Sequence, residues 1–226
     1  MNRDLLDRIL AARHERRAVA VVTDLETGAQ RVVGEDEAPE DMLSAAVVSG
    51  FRFDRSGITS TEEGEFFVHI HNPPLKLVVV GAVHIAQALI PMARLAGYDV
   101  TVIDPRGAFA SPERFPDVTL SVEWPDEALN DIELDRRTAF VALTHDPKVD
   151  DPALTAALQS SCFYIGALGS KKTHAGRIER LQAAGVEEDA LARIHAPIGL
   201  AIGARGPAEI AIAIMAEITR TLRQEQ

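Results

Sequence analysis

Two histidines, an aspartate followed by an arginine, and a glycine–serine–lysine turn each stand just after an apolar run of this chain. His84 closes Gly81-Ala82-Val83-His84, and His145 lies in Thr144-His145-Asp146. Asp104 and Arg106 frame Asp104-Pro105-Arg106, and Gly166-Ala167-Leu168-Gly169-Ser170-Lys171 ends in the lysine turn. Imidazoles ligate metals, move protons near neutral pH or donate to an oxyanion. Asp146 is placed to orient one of them, or serves as a turn residue before Pro147. Gly169, Ser170 and Lys171 open a helical pattern, where backbone N–H groups, a hydroxyl and an ammonium suit an anion. The plain alternative is a helix cap with solvated lysines, and the P-loop spacing is missing. An acid roughly 20 residues beyond a glycine turn is how a dinucleotide fold holds a ribose. Here Val83 stands where a second glycine would admit a pyrophosphate to the backbone, and its Cβ narrows that space. Arg205, in Gly203-Ala204-Arg205-Gly206-Pro207, either folds over the same rim or satisfies a carbonyl.

The elements that must position these residues are read from periodicity. Strands are expected at 75–81, 99–104, 118–123, 138–143 and 162–168, with a short last one near 197–202. Helical patterns fall at 84–96, 151–160, 171–184, 188–194 and 207–223. Continuous apolar runs such as Leu75-Lys76-Leu77-Val78-Val79-Val80 are the mark of parallel strands buried on both faces. Alternation of strands and helices implies a parallel sheet covered on both sides. With a strand order of 3-2-1-4-5, the turns after strands one, two, four and five share one rim, and the polar clusters meet there. Asp150-Asp151-Pro152 reads as a helix start, and Gly206-Pro207 as another. The last helix is apolar almost all round, which suits core packing or a subunit interface.

Residues 1–72 read as a smaller α+β domain. A charged helix covers 2–15, a strand 18–23 with a hairpin partner at 30–33, an acidic loop 35–41, a helix 42–49 and a strand 66–70. Asn72-Pro73-Pro74 is the linker, and 75–226 forms the second domain. His69 and His71 share one strand face, a spacing that can support a metal site but has no obvious third ligand, and the favoured reading is edge-strand polarity. His174 and Arg177 read as solvated helix residues, with a place beside the pocket as the alternative for either. The fold class is therefore α/β, a Rossmann-like parallel sheet at the C-terminus behind a smaller α+β domain.

The chain has 226 residues, 46% of them hydrophobic, and a formal charge of −11. That length and composition suit a globular protein. The acidic balance argues against a broad nucleic-acid surface but leaves room for one basic pocket. No apolar run is long enough for a membrane span, and Met1-Asn2-Arg3-Asp4 opens no signal-peptide pattern, so a cytoplasmic location is expected. A single cysteine, Cys162, allows no intrachain disulfide and no cysteine zinc site, and its apolar setting reads as a small buried hydrophobe.

Six segments in order resemble the xanthine dehydrogenase accessory protein family, the XdhC/CoxI family. They are Gly81 to Leu89, Val100 to Asp104, Phe109 to Pro116, Leu143 to Asp146, Tyr164 to Lys171, and Ile194 to Leu200 leading through Ile202-Gly203-Ala204-Arg205 to Pro207-Ala208-Glu209-Ile210-Ala211. The resemblance implies a non-catalytic accessory protein, a chaperone that binds molybdenum cofactor and assists its sulfuration and insertion. The implied client is a xanthine-dehydrogenase-like or carbon-monoxide-dehydrogenase-like enzyme, with a cysteine desulfurase as a further partner; the apolar last helix separately makes a homodimer a candidate assembly. The implied cofactor site takes the pterin phosphate at Gly169, Ser170 and Lys171. Gly81, Val83, His84, Asp104, Arg106, Thr144, His145, Asp146, Gly166 and Arg205 complete it. The family turn reads Gly-Ala-Gly-His where this chain has Val83. Its cysteine-containing first-domain segment corresponds here to Ser44–Gly50, which has no cysteine. The rival expectation is an NAD(P)-dependent oxidoreductase on the same fold, with Asp104 on the ribose. A third is a scaffold that contacts a molybdoenzyme without holding cofactor.

Overall fold

The computed structural model describes residues 3–37 and 42–224. The chain divides into two compact units, Met1–Pro73 and Pro74–Gln226.

In the first unit, α1 (Arg3–His14), β1 (Val19–Asp24), β2 (Gln30–Gly34), α2 (Ser44–Phe53), β3 (Gly57–Thr61) and β4 (Gly64–His71) follow in order. The strands form an antiparallel sheet in the order β2-β1-β4-β3. Side chains alternate across a strand, and the sequence of β1 uses both faces. Ala20 and Val22 join Val33 and Val68 under Val47 and Phe51 of α2. Val19 and Val21 pack on Leu5, Ile9 and Ala12 of α1. The β1–β2 turn is closed by Asp24, whose Oδ1 accepts the Glu26 and Thr27 N–H groups at 2.8 and 3.0 Å. Of the expected acidic loop, Glu35–Glu37 form a short 3-10 turn, and 38–41 lie outside the described residues, as do Met1 and Asn2 of the expected N-terminal segment. β3 was not legible as a strand. His69 and His71 lie in the last part of β4, where they pair with Val21 and Val19 of β1, beyond the Gly64–Val68 stretch that pairs with β3. Their rings lie 4.2 Å apart.

The second unit contains β5 (Leu75–Val80), α3 (His84–Leu95), β6 (Tyr98–Ile103), β7 (Thr119–Ser121), α4 (Pro125–Ala128) and β8 (Thr138–Ala142). These are followed by α5 (Pro147–Leu158), β9 (Tyr164–Ala167), α6 (Lys171–Ala183), α7 (Glu188–Leu191), β10 (Ile194–His195) and α8 (Pro207–Arg223). The six strands are parallel, in the order β10-β9-β8-β5-β6-β7. In strand sequence this is 3-2-1-4-5 extended by a sixth strand. Neighbouring β5 and β8 mark the point where the order reverses, and turns leaving their carboxyl ends form the ligand crevice of such a sheet. Leu75, Leu77 and Val79 face α3 and α8 with Leu89, Ile90, Ile214 and Ile218. Val78 and Val80 face the opposite layer with Phe140, Leu154 and Leu181.

Several local expectations change. The helix expected from Asp150-Asp151-Pro152 starts earlier, at Pro147. Asp146 is its cap, accepting the Lys148 N–H through Oδ1 at 3.0 Å. Proline fits the first helical position because its missing N–H is not needed there, so the earlier Asp-Pro pair, Asp146-Pro147, wins. Asp150 then points inward and is 2% exposed. The last strand is Ile194–His195 and not 197–202, and α7 ends at Leu191, short of 194. Arg177 is not solvated: it is 2% exposed. α8 buries Ala211, Ile214, Glu217 and Ile218 while Ile212 stays half exposed, so the helix has a core face despite its apolar composition.

Candidate cofactor site

Gly81 follows β5 at φ +111°, a region closed to most side chains. Its N–H donates to the Ile103 carbonyl at 2.8 Å. A Cβ there would lie 2.7 Å from Thr144 Cγ2, so the absence of a side chain lets the turn after β8 close against the turn after β5. Val83 then caps α3 in extended conformation, without a side-chain hydrogen bond, and His84 is the first helical residue.

Between these turns lies a cleft of about 680 Å³. It is lined by Val83, His84 and Ile85 from the first turn, Leu143 through Pro147 from the turn after β8, and Arg106, Leu168 and Pro207. Each comes from the carboxyl end of a parallel strand or from the start of α8. His84 and His145 are both exposed in it. The walls combine aliphatic side chains with two imidazoles, one hydroxyl, one carboxylate and one guanidinium, a mixture that suits a flat, partly apolar ligand bearing an anionic group.

Arg106 is built in by Asp104. The Asp104 carboxylate is 0% exposed and accepts the Ala82 N–H at 2.8 Å and the Arg106 backbone N–H at 3.0 Å. It also takes the guanidinium as a two-pronged pair, Nε to Oδ1 at 2.8 Å and Nη2 to Oδ2 at 2.7 Å. Burial pushes this carboxyl upward, but the Arg106 and backbone N–H bonds outweigh it and hold it below the usual carboxylate range. The guanidinium also stacks over Phe109, with Cζ 4.7 Å from the ring centre.

Thr144 is held from beneath. Its hydroxyl donates to Asp150 Oδ1 at 2.5 Å and accepts the Asp146 N–H at 3.2 Å. Asp150 Oδ2 lies 3.6 Å from Arg177 Nη2, which donates to the Leu168 carbonyl at 2.8 Å. Nε and Nη1 of Arg177 have no hydrogen-bond partner among the described residues. Burial raises the Asp150 carboxyl despite Thr144 and Arg177, and burial lowers the Arg177 guanidinium despite Asp150. Each partner is shifted toward its neutral form, as expected where desolvation exceeds the attraction. Neither role was legible: Asp150 read as a cap and Arg177 as a solvated helix residue.

Of the residues singled out from sequence, the structure brings Val83, His84, Arg106, Thr144, His145 and Asp146 together in the cleft lining. Gly81 and Asp104 stand behind it. Gly166 is buried in β9, where a Cβ would lie 2.6 Å from Ile198 Cδ1, so it packs the sheet. Ser170 caps α6, accepting the Thr173 N–H at 3.1 Å. Gly169, Ser170, exposed Lys171 and exposed Arg205 are not among the lining residues. The backbone N–H of Arg205 donates to Glu209 at 2.7 Å. Ile85, Leu143, Pro147, Leu168 and Pro207 were not foreseen, since apolar lining carries no sequence mark that separates it from core.

A second cluster surrounds Glu217 of α8. Tyr164 OH donates to its Oε2 at 2.7 Å, and the Gly199 N–H donates to the same oxygen at 2.8 Å. Nδ1 of His195 lies 3.5 Å from Oε1, and its ring stacks on Tyr164 at 4.6 Å. Burial would raise this carboxyl, but His195, Tyr164 and Gly199 together bring it down to about 2.

Residues 77–218 match the family described as the XdhC Rossmann domain. The chain is 33% identical over 152 residues to the uncharacterized protein YqeB of Escherichia coli K12, covering 67% of this chain and 28% of that protein. It is 31% identical over 155 residues to the molybdenum cofactor insertion chaperone PaoD of the same organism, covering 68% and 42%. The chain thus spans less than half the length of these curated relatives. A crystal structure described as a xanthine dehydrogenase from Bacillus halodurans superimposes with a TM-score of 0.71 at 26% identity, covering 99% of this chain and 65% of that one.

Proposed function

The chain belongs to the XdhC Rossmann domain family, and we propose that it is an accessory chaperone that binds molybdenum cofactor and delivers it to a xanthine-dehydrogenase-like molybdoenzyme. The observation that carries the reading is the cleft at the β5–β8 switch point, whose lining joins Val83, Ile85 and Leu168 to His84, His145 and Arg106. A pterin presents a flat ring, hydrogen-bonding edges and a phosphate, and these surfaces answer each of them. The name of the relative PaoD supports the same assignment.

The residues fit the organic part of the cofactor. Val83, Ile85 and Leu168 would hold the ring, His84 and His145 its polar edges, and Arg106 its charge. Bound cofactor supplies the molybdenum chemistry of the client. This chain's part is to bind, orient and shield. Cys162 is 4% exposed and precedes β9, so it sits at the amino end of the sheet, opposite the cleft. Sulfur for the cofactor therefore comes from outside this chain, which is the role assigned here to a cysteine desulfurase. Maturation of the client in the cytoplasm is part of the proposal. Among the described residues, no helix is long and apolar enough to cross a membrane.

Equilibrium binding of isolated molybdopterin is the test. Wild-type protein binds it, and His145→Ala weakens binding by about tenfold, the scale of one well-placed polar contact. Absence of binding by the wild type, or a melting temperature raised by NAD or NADP in its place, removes the chaperone reading.

A further inference from the structure

We propose that Arg106, fixed by Asp104 and Phe109 at the cleft wall, is the residue that contacts the ligand's anionic group, and that the same Asp104–Arg106 pair makes the cleft refuse a dinucleotide ribose. The proposal rests on the reading that this cleft holds the ligand, and it replaces Lys171 as the anion contact.

Arg106 is the sole lysine or arginine among the described residues lining the cleft. Its Nε and Nη2 are spent on Asp104, whereas Nη1 has no partner among the described residues and the side chain is 41% exposed. An arginine already locked by a carboxylate and stacked on Phe109 loses little side-chain freedom when it takes an anion, so more of the contact appears as affinity. Asp104 accepts four hydrogen bonds with no exposed surface. A carboxylate offers about four acceptor positions, so none is left for the ribose hydroxyls that the acid at this place binds in dinucleotide folds. Asp146 shares the lining and its charge reaches Arg106, so an anion held by the guanidinium is also met by one carboxylate. Lys171 is exposed and absent from the lining, and the Ser170 hydroxyl is occupied by Thr173.

The experiment is calorimetric titration of the full chain with inorganic pyrophosphate, alongside NAD. Wild-type protein binds pyrophosphate and not NAD. Arg106→Ala loses at least tenfold in pyrophosphate affinity, and Lys171→Ala changes it less than twofold. Since Arg106→Ala strands a buried carboxylate, Arg106→Lys is measured too: it keeps the charge, loses the two-pronged pairing and weakens binding severalfold in a protein whose circular dichroism is native. No pyrophosphate binding by the wild type, unchanged affinity in Arg106→Lys, loss in Lys171→Ala, or binding of NAD each overturns the proposal. If molybdopterin binds wild type and Arg106→Lys equally, this assignment falls while the chaperone reading stands. If pyrophosphate binding depends on Arg106 but molybdopterin does not bind, the chaperone reading falls and this one stands.

Discussion

At the scale of single residues, the site depends on what is missing as much as on what is present. Gly81 has room for no Cβ: Thr144 Cγ2 would lie 2.7 Å away and the Thr144 nitrogen 3.2 Å. Gly81→Ala adds backbone strain at positive φ to a clash with the neighbouring turn, and either Thr144 or α3 has to move. Urea denaturation is expected to show a loss of about 2–4 kcal/mol, with pyrophosphate affinity falling in the same variant. Loss of less than about 0.5 kcal/mol would mean that the two turns are not wedged together. The neighbouring Val83 was legible as a break in the dinucleotide pattern, because a glycine position is recognisable from its spacing alone. Its consequence was not. Val83 adopts ordinary extended backbone as the cap of α3 and serves as apolar wall. Asp104 shows the complementary limit. Its position after β6 was readable, but the pairing that consumes its carboxylate depends on where Ala82 and Arg106 stand in space.

Elements were legible in proportion to their burial. β5, β8 and β9 are near-continuous apolar runs because both faces are covered, whereas β6 carries exposed Asp99 and half-buried Thr101 among its apolar residues. β3, Gly57-Ile58-Thr59-Ser60-Thr61, lies at a sheet edge with an alternation of exposed and half-buried positions, and its hydroxyl-rich sequence resembles a loop. α8 illustrates a different difficulty. Its apolar residues outnumber its core face, and the polar residue that matters, Glu217, is buried among them. With its carboxyl held at about 2 against an ordinary 4.5, Glu217 binds its proton more readily when the chain is unfolded. Its contribution is therefore complete above about pH 4.5 and is lost as pH falls toward 2. From linkage the full effect is on the order of 3 kcal/mol, and between about pH 6 and pH 3 roughly 2 kcal/mol disappears. Glu217→Gln keeps an oxygen for Tyr164 and Gly199 but has no proton to gain. The stability gap between wild type and variant, from urea midpoints across that range, should shrink on acidification. Parallel curves would show that α8 is not anchored by this charge. Asp150 acts in the opposite sense: its raised carboxyl costs stability at neutral pH and is relieved as pH falls, so the comparison with Glu217→Gln isolates one group from the other.

At the scale of the whole molecule, the two units carry separate cores. Both layers of the parallel sheet, with α3 and α8 on one side and α5 and α6 on the other, lie within 74–226. The family match at 77–218 and every residue lining the cleft fall in the same span. A sheet of six parallel strands covered on both faces meets the requirement for an independent domain, since no strand face is left for another unit to cover. A protein of residues 74–226 is accordingly expected to unfold in one cooperative transition, with a stability within about 5–15 kcal/mol. It should bind pyrophosphate within about twofold of the full chain, a difference of roughly 0.4 kcal/mol. Denaturation followed by both circular dichroism and Trp124 fluorescence checks the first point, because coincident curves mark a two-state domain. Calorimetry checks the second. A drop in pyrophosphate affinity of tenfold or more, or a span that does not fold, overturns the expectation of an independent domain.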